Sequence, residues 1–345
     1  MVPKITTLAE IARRAGVHVS TVSRALSPDK AGVGSEKADM IRSIADEMGY
    51  QPNPAAAELR TGRSGLIGVL VPDLRDMVLS EIYAGIDAGA HETVFSTFVS
   101  NTQDDVELRR SKLEEFLTRR VEGIMLGDAR LDGDELVETL RRRKLPYVLV
   151  NRRLRGHPSV TTDDITGGTL AAQHLLELGH ERIGIVAGPS FVSTCTERTH
   201  GFIQRYLASG KHVADKVVVN SGADAPGGYR AAREILEKSP DTTAIFAIND
   251  FAAIGVMGAI REHGARPGED IAVVGYNDVA LATYLPVPLT SVQSPMFEMG
   301  RLGARMLIDL IGGAEVEPVL LAPKLIPRQS TLGALNRLPA SAGLG

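Results

Sequence analysis

The 345-residue sequence has no tryptophan, one cysteine and only 4% aromatic residues. The single cysteine, Cys195, cannot form a disulfide within the chain or build a cysteine-based zinc cluster, so we expect it to be a small packing residue. The longest apolar stretches, such as 67–71, fall far short of the roughly 18 residues that a membrane span needs. The first ten residues lack the apolar segment of a secretion signal. We therefore expect a cytoplasmic protein without a membrane partner.

The chain also lacks an excess of positive charge, because its formal net charge is -4. This value argues against a nucleic-acid partner only if the charge is spread evenly along the chain. Residues 1–63 carry a charge of +2 and the remainder carries -6, so the start of the chain is its positive part. A charge of +2 is small, and the pattern of residues in this segment is more informative.

Three short helices are predicted in the first 51 residues. Thr7 and the glutamate three residues later are spaced as a capping box, and apolar residues at helical spacing follow. A glycine-containing turn at 16–18 separates this helix from a second one at about 19–26, which is a helix-turn-helix arrangement. A third helix is predicted over 35–48, with Ser35 as its cap.

The second helix presents short hydroxyls and one long cation on its exposed face. These residues are Ser20, Thr21, Ser23 and Arg24. Such groups suit phosphate oxygens and base edges, whereas a helix with a purely structural role would more often carry glutamate and lysine there. A three-helix cap that only packs on the rest of the protein is the alternative.

After residue 65 the chain changes to buried-strand runs that alternate with helical stretches, the pattern of parallel sheets covered on both faces. Strands are predicted at 66–71, 123–126, 147–150, 183–186, 244–248 and 271–275, and helices at 107–119, 168–178, 229–236, 253–262 and 295–311. These runs are too many for one sheet of ordinary size, so we expect two doubly wound lobes. Ligands of such folds bind beyond the carboxyl ends of the strands.

Several polar residues directly follow predicted strands and are candidates for a cleft between the lobes. Asp73, Asn249 and Asn277 have this placement, although each could instead be a helix cap. An enzyme is the other interpretation of a doubly wound body. The sequence has no P-loop, strand-linked Gly-x-Gly-x-x-Gly, Gly-x-Ser-x-Gly or His-Glu-x-x-His motif. We therefore expect no catalytic residues, no metal and no cofactor. We interpret Gly167 and Gly168 as turn residues rather than as a phosphate-binding site.

The first 53 residues resemble the DNA-binding head of the lactose-repressor family. The resemblance rests on the segments Leu-Ala-Glu-Ile-Ala at 8–12, Ser-Thr-Val-Ser-Arg-Ala-Leu at 20–26 and Met-Gly-Tyr-Gln-Pro-Asn at 48–53. It implies that the second helix lies in the major groove of an operator. The implied DNA-contacting residues are Thr7, Val19, Ser20, Thr21, Ser23, Arg24, Asn53, Ala56 and Leu59.

Two positions of this segment depart from the family. His18 stands in the turn where the family usually places serine, and Pro54 stands where arginine is common. The resemblance also implies that residues around 52–60 form a hinge helix that orders on operator binding and inserts Leu59 into the minor groove. Proline is tolerated in a first helical turn, but it removes a phosphate contact.

The body resembles the periplasmic-binding-protein-like body of the same family. Motif positions then imply effector contacts by Arg198 in Arg-x-x-Gly-Phe, by Asn249 and Asn277 before Asp, and by Asp73 after the first strand. Arginine, carboxylate and amide groups suit a sugar or another polyhydroxyl ligand. Because the loop at 221–226 has no aromatic residue, we expect Phe191 to supply the apolar wall of the site.

The expected fold class is therefore α/β: a three-helix helix-turn-helix head with a hinge helix, followed by a two-lobed body of doubly wound parallel sheets. The predicted segments are 1–51 for the head, 52–64 for the hinge, 65–162 plus 291–319 for the first lobe, 163–290 plus 320–333 for the second, and 334–345 for a flexible tail. The expected function is a transcriptional regulator, a repressor, that binds operator DNA as a homodimer under the control of a small effector. The tail lacks the leucine heptads of a tetramer. A solute-binding protein without a regulatory role is the alternative.

Overall fold

The computed structural model describes residues 6–26, 34–51, 63–214 and 217–333. The chain divides into two units, Met1–Ser64 and Gly65–Gly345. The first unit, called the head below, is helical in its described part. The second unit, called the body, contains two six-stranded sheets. The predicted α/β fold class is confirmed, while the predicted hinge helix lies outside the described residues.

Three helices form the head: α1 (Leu8–Ala15), α2 (Val19–Ala25) and α3 (Ser35–Glu47). Thr7 and Glu10 form the predicted capping box at the start of α1. Gly16, whose φ of 63° suits glycine, ends this helix. The prediction that Ser35 caps α3 is wrong by one residue, because Gly34 occupies the cap position and Ser35 is already helical.

The inner faces of the three helices share one small core. Its buried members are Ile11, Ala12, Val22, Ala25, Ala38, Ile41 and Ala45. Leu26, Ile44 and Met48 pack against this core while remaining partly exposed. A core of this size fixes the three helices and leaves the opposite face of α2 available to a partner.

Lobe 1 of the body is built on a parallel sheet in the order β11-β5-β4-β3-β1-β2. Its strands are β1 (Leu66–Val71), β2 (Ser96–Asn101), β3 (Gly123–Leu126), β4 (Tyr147–Val150), β5 (Ser159–Thr162) and β11 (Val319–Leu321). Its helices are α4 (Met77–His91), α5 (Val106–Thr118), α6 (Glu135–Arg143) and α12 (Met296–Ile311). Strands β1, β3 and β4 are almost wholly buried and apolar, as expected of a sheet that helices cover on both faces.

Lobe 2 repeats this plan in the order β12-β10-β9-β8-β6-β7, with only β12 antiparallel to its neighbour. Its strands are β6 (Ile183–Ala187), β7 (Val218–Asn220), β8 (Ala244–Ala247), β9 (Ala272–Asn277), β10 (Thr290–Gln293) and β12 (Lys324–Ile326). Its helices are α7 (Asp164–Glu177), α8 (Ser193–Ala208), α9 (Ala225–Lys238), α10 (Asp250–Glu262), α11 (Leu281–Tyr284) and α13 (Gln329–Leu332).

The chain crosses between the lobes slightly later than the predicted segment bounds. Strand β10 pairs with β9 as far as Gln293, so all of it belongs to lobe 2, although the prediction assigned 291–319 to lobe 1. Strand β11 pairs with β5 as far as Leu321, so the return to lobe 2 follows that residue rather than 319. In both cases strand pairing continues for a few residues beyond the predicted bound, and this pairing is not visible in the local sequence pattern.

Candidate functional site

The loops that follow the strands of both lobes enclose one cleft of about 640 Å³. This volume lies in the range of small-molecule sites, about 300–1,000 Å³. The cleft is lined by Pro72, Asp73, Arg75, Asp76, Val78, Leu79, Gln103, Asp104, Asn151, Arg152, Pro189, Val192, Thr194, Cys195, Arg198, Ala223, Asp224, Ala225, Ile248, Asn249, Phe251 and Asn277. Of the predicted effector residues, the structure brings Asp73, Arg198, Asn249 and Asn277 together here.

Arg198 projects from α8 and is held by three groups at once. Its Nε donates to Asp164 Oδ1 at 2.7 Å and its Nη1 donates to the Ile248 carbonyl at 2.8 Å. The guanidinium carbon lies 3.7 Å from the centre of the Tyr276 ring. Burial alone would lower the pKa of Arg198, but the adjacent Asp164 carboxylate outweighs it and raises this pKa. The cation is therefore fixed and already neutralised before any ligand binds.

Glycines in α7 and α8 place Arg198 at this depth. A Cβ at Gly168 would lie 2.1 Å from the Arg198 carbonyl oxygen, and one at Gly201 would lie 2.1 Å from the Ile165 carbonyl oxygen. Gly167 and Gly168 are buried within α7, so their prediction as turn residues is wrong. Gly168 and Gly201 serve close helix packing, because only residues without a side chain let the two backbones approach this closely. Gly167 instead leaves room for the Tyr276 side chain, whose hydroxyl would lie 1.9 Å from a Cβ at this position.

The two predicted asparagines take part in the framework of the cleft. Asn249 caps α10 by accepting from the Ala252 amide at 2.8 Å, and its Nδ2 donates to the Ala223 carbonyl at 2.8 Å. Asn277 ends β9 with a φ of 98° and accepts from the Ser294 hydroxyl at 3.4 Å. Such a left-handed backbone is uncommon outside glycine, and it is one of the special conformations that accompany ligand sites.

A buried carboxyl group lies next to these asparagines. Asp250 Oδ1 accepts from the Ser291 hydroxyl at 2.6 Å and Oδ2 accepts from the Val279 amide at 2.8 Å. The two hydrogen bonds lower the pKa of Asp250, but burial has the larger effect and raises this pKa to about 7. Asp250 was not among the predicted effector residues. It holds the loop that follows Asn277 rather than facing a ligand.

Lobe 1 supplies further carboxylates that sequence reasoning missed. Asp104 forms two hydrogen bonds with Arg152, at 2.6 and 2.8 Å. Asp76 caps α4 by accepting from the Val78 amide at 2.9 Å, and burial raises its pKa. The predicted Asp73 pairs with Arg75 at 2.6 Å, and this hydrogen bond lowers the pKa of Asp73. Aspartates and arginines that follow strands were the available signal for Asp104 and Arg152.

The structure does not place Phe191 in the cleft. Its ring lies under the guanidinium of Arg130, 3.9 Å from that group, in a contact between the two lobes. The aromatic residue of the described cleft lining is Phe251, in the first turn of α10. Its place two residues after Asn249 was the signal that could have identified it. The loop at 188–192 turns Phe191 toward lobe 1 because the Leu131 amide donates to the Phe191 carbonyl at 2.9 Å.

Cys195 lines the cleft but is almost wholly buried, as expected of a packing residue. It is 4% exposed, and a Cβ at Gly188 would lie 2.4 Å from its sulfur. Burial raises the pKa of the Cys195 thiol, which disfavours the reactive thiolate. Across the described ranges, no group of three or more histidine, cysteine, aspartate or glutamate residues is arranged to hold a metal ion.

In the head, the exposed face of α2 carries the predicted DNA-contacting residues. Val19, Ser20 and Arg24 are exposed, while Thr21 and Ser23 are half-buried. His18 caps the helix, because its Nδ1 accepts from the Ser20 amide at 3.3 Å. Thr7 is exposed at the start of α1. The predicted residues Asn53, Ala56 and Leu59, and also Pro54, lie outside the described residues.

Comparison with known proteins matches both units of the chain. Residues 7–53 match the family of bacterial regulatory proteins, lacI family, and residues 172–331 match the periplasmic binding protein-like domain. No helix within the described ranges is long and apolar enough to span a membrane.

Relatives and solved structures resemble the chain over nearly its whole length. The HTH-type transcriptional regulator CelR of Thermobifida fusca is 34% identical over 338 residues, which cover 94% of this chain and 98% of the relative. The HTH-type transcriptional repressor CytR of Escherichia coli K12 is 28% identical over 314 residues, with 90% and 91% covered. The structure of the lac repressor dimer bound to operator and the anti-inducer ONPF has a TM-score of 0.87 at 28% identity, with 95% and 99% covered. The chain is therefore a transcriptional regulator that belongs to the lacI family.

Proposed function

We propose that this chain is a repressor that binds a pseudo-palindromic operator as a dimer and is controlled by a small polyhydroxyl effector between its lobes. The proposal rests on the presence of an exposed helix and a ligand-sized cleft in the same chain. A capped helix exposes Ser20 and Arg24, and a separate cleft holds its charged groups in pairs. A solute-binding protein would need only the cleft, and as a DNA-binding regulator the chain would act in the cytoplasm.

On the DNA side, each exposed residue of α2 has a role that suits its chemistry. Arg24 carries the fork of donors that pairs with the O6 and N7 atoms of guanine, while Val19 and Ser20 face base edges. Thr7, Thr21 and Ser23 bond phosphate oxygens and fix the orientation of the helix. We include Asn53, Ala56 and Leu59 as hinge contacts on the family resemblance alone.

On the effector side, the pairing of charges favours a neutral ligand. Arg152 is paired with Asp104 and Arg198 with Asp164, so neither cation offers an uncompensated charge to an anion. The carboxylate and amide oxygens that remain can accept from hydroxyl groups, and Phe251 offers an apolar face. A related structure is that of the CelR–cellobiose complex, with a TM-score of 0.72 at 30% identity. This relationship also supports a sugar.

Control by the effector requires two arrangements of the lobes with different affinities for it. The described arrangement is held by contacts across the cleft. Arg153 of lobe 1 forms an ion pair with Glu197 of lobe 2 at 2.8 Å, and the Arg153 amide donates to the Ser193 hydroxyl at 2.9 Å. An effector that favours another arrangement would change how two heads of a dimer meet their half-sites.

The effector class is tested by a thermal-shift screen of the full-length chain with neutral sugars, nucleosides and small organic acids. A ligand that binds the folded state raises the melting temperature in proportion to its saturation. We expect neutral sugars to raise it and small acids to leave it unchanged. If only the small organic acids raise the melting temperature, the proposed class of effector is wrong, while the proposed DNA binding is unaffected.

The DNA side is tested by a binding-site selection with the unchanged chain and with Arg24→Ala. We expect the variant to lose about 1–3 kcal/mol of specific binding and to accept any base at one position of each half-site. Arg13→Ala removes an exposed charge from α1 and is the matched control, with unchanged base preference. An Arg24→Ala variant that selects the same sequence would contradict the assignment of α2 as the recognition helix.

A further inference from the structure

Lobe 1 has a second edge, formed by the amino ends of its strands, which lies opposite the cleft. The chain enters the body at this edge, where the Glu122 amide donates to the Leu66 carbonyl at 2.8 Å. Strand β4 begins beside β3, since the Ile124 amide donates to the Pro146 carbonyl at 3.0 Å. The carboxyl ends of α5 and α6 return to this same edge, because each helix leads into the next parallel strand.

Six exposed cations are concentrated there. Arg119 and Arg120 follow α5, and Arg141, Arg142, Arg143 and Lys144 end α6. Within segments 119–122 and 141–144, Glu122 is the single carboxylate. We call these two segments the basic edge. Its charge contrasts with that of the body as a whole, since the chain beyond residue 63 carries -6.

Ordinary helix chemistry accounts for only part of this concentration. Cations in the last turn of a helix are favoured by the helix dipole, and Arg141 also pairs with Glu138 at 3.3 Å. Arg119 lies over the ring of Phe98 at 4.7 Å. The last turn of α6 nevertheless continues with two further arginines and a lysine. Arg142 donates to the neutral Thr139 hydroxyl at 3.1 Å, and among the described residues it forms no ion pair.

We propose that the basic edge binds phosphates of duplex DNA outside the half-sites that the heads contact. The body begins at Gly65, and β1 starts at Leu66 on this edge, so the chain that follows the DNA-binding head reaches the body on the side that carries the cations rather than at the cleft. The head itself has a charge of only +2 through residue 63, which is small for a partner with two charges at every base pair. Arginine and lysine bind phosphates without regard to base sequence, so the basic edge contributes affinity and not specificity.

The test compares two triple variants of the full-length chain with the same change in charge. Arg142→Gln/Arg143→Gln/Lys144→Asn removes three cations from the basic edge, with asparagine chosen because Lys144 has a φ of 54°, which asparagine tolerates. Arg230→Gln/Arg233→Gln/Lys238→Gln removes three exposed cations from α9 in lobe 2 and is the control. Thermal unfolding checks that both variants are folded. Binding to random-sequence duplexes of about 20 and about 40 base pairs, two and four helical turns, is then measured over a range of salt concentrations.

We expect the basic-edge variant to bind the longer duplex about 3- to 10-fold more weakly at low salt, with a salt slope that is lower by about 0.9 for each phosphate that the variant no longer neutralises. It should bind the shorter duplex as the unchanged chain does, and the lobe 2 variant should bind both normally. Equal losses in the two variants would indicate a general effect of net charge, and no loss in the basic-edge variant would mean that its cations are only solvated. Either result overturns the proposal. Failure of the unchanged chain to bind any duplex would count against the head instead.

Discussion

The head and the cleft hold their polar side chains in opposite states. In the head, Ser20 and Arg24 are exposed on α2, and the Arg24 Nε donates to the Ser20 carbonyl of its own helix at 3.3 Å. In the cleft, Arg198 is 4% exposed and bonded to Asp164, which is 2% exposed. One region presents groups whose partners come from outside, and the other presents groups that already have partners inside the lobe.

This difference follows from the ligands that the two regions are proposed to bind. DNA supplies its own dense negative charge and its own base edges, so a few exposed side chains on a small rigid core are sufficient. A small neutral ligand supplies little binding energy, and a cleft that is already ordered loses less entropy when the ligand binds. Substitutions should therefore affect folding strongly in the cleft and weakly on α2.

The largest effect is expected from Arg198→Ala. The substitution leaves the Asp164 carboxylate buried without its cation, which costs about 3–5 kcal/mol of unfolding free energy. Arg182→Ala is the matched control, because Arg182 and Asp241 form a pair at 3.4 Å in which both side chains are 62% exposed. Such a pair contributes about 0–1 kcal/mol. Chemical denaturation measures both values, and equal losses would contradict the contrast between buried and exposed groups.

A second variant separates the stability of Arg198 from its proposed contact with the effector. Adding Asp164→Asn to Arg198→Ala removes the uncompensated charge, so part of the lost stability should return. The response of operator binding to an effector from the thermal-shift screen should remain absent. A double variant with a normal response would show that Arg198 acts only in the framework of lobe 2.

The next effect is a pH dependence that originates at Asp250. Its folded pKa of about 7 lies above the ordinary aspartate value of 3.8, so the unfolded chain releases this proton at lower pH than the folded chain does. The free energy of unfolding should therefore fall as the pH rises from about 4 to about 7 and then become constant, with a slope of at most about 1.4 kcal/mol per pH unit. Whether or not Asp250→Asn is as stable as the unchanged chain at any one pH, its free energy of unfolding should lack this dependence on pH. Parallel pH profiles of the two proteins would contradict the assignment.

The parts of the fold that the sequence predicted are those with a strong local pattern. Strands β1, β3 and β4 are continuous buried apolar runs, and the capping box at Thr7 needs only residues three positions apart. Strand β2 was missed because its sequence, Ser-Thr-Phe-Val-Ser-Asn, is polar and half-exposed at the edge of the sheet. Apolar runs are typical of parallel strands that are buried on both faces, and β2 is only half-buried, so its sequence lacks that signal.

The errors at the cleft come from contacts between residues far apart in the chain. Nothing near Gly168 in the sequence indicates that a backbone from α8 lies against it. Phe191 and Phe251 both stand near the carboxyl end of a buried strand, and only the tertiary structure turns one toward Arg130 and the other toward the cleft. The motifs correctly placed Asn249, Asn277 and Arg198 at the cleft. These residues also form hydrogen bonds within lobe 2, so their positions are tied to the fold itself.

The smallest effect is expected in the head, at the imidazole that caps α2. His18 Nδ1 accepts from the Ser20 amide, so His18→Ala leaves one amide at the start of α2 without its acceptor and should cost about 1 kcal/mol of stability. His18→Ser is the control, because serine is also a strong cap and should restore most of this loss. Thermal unfolding of the two variants measures the difference. If the alanine and serine variants are equally stable, the cap does not stabilise α2, and the helix is held in place by the packing of Val22 in the core of the head.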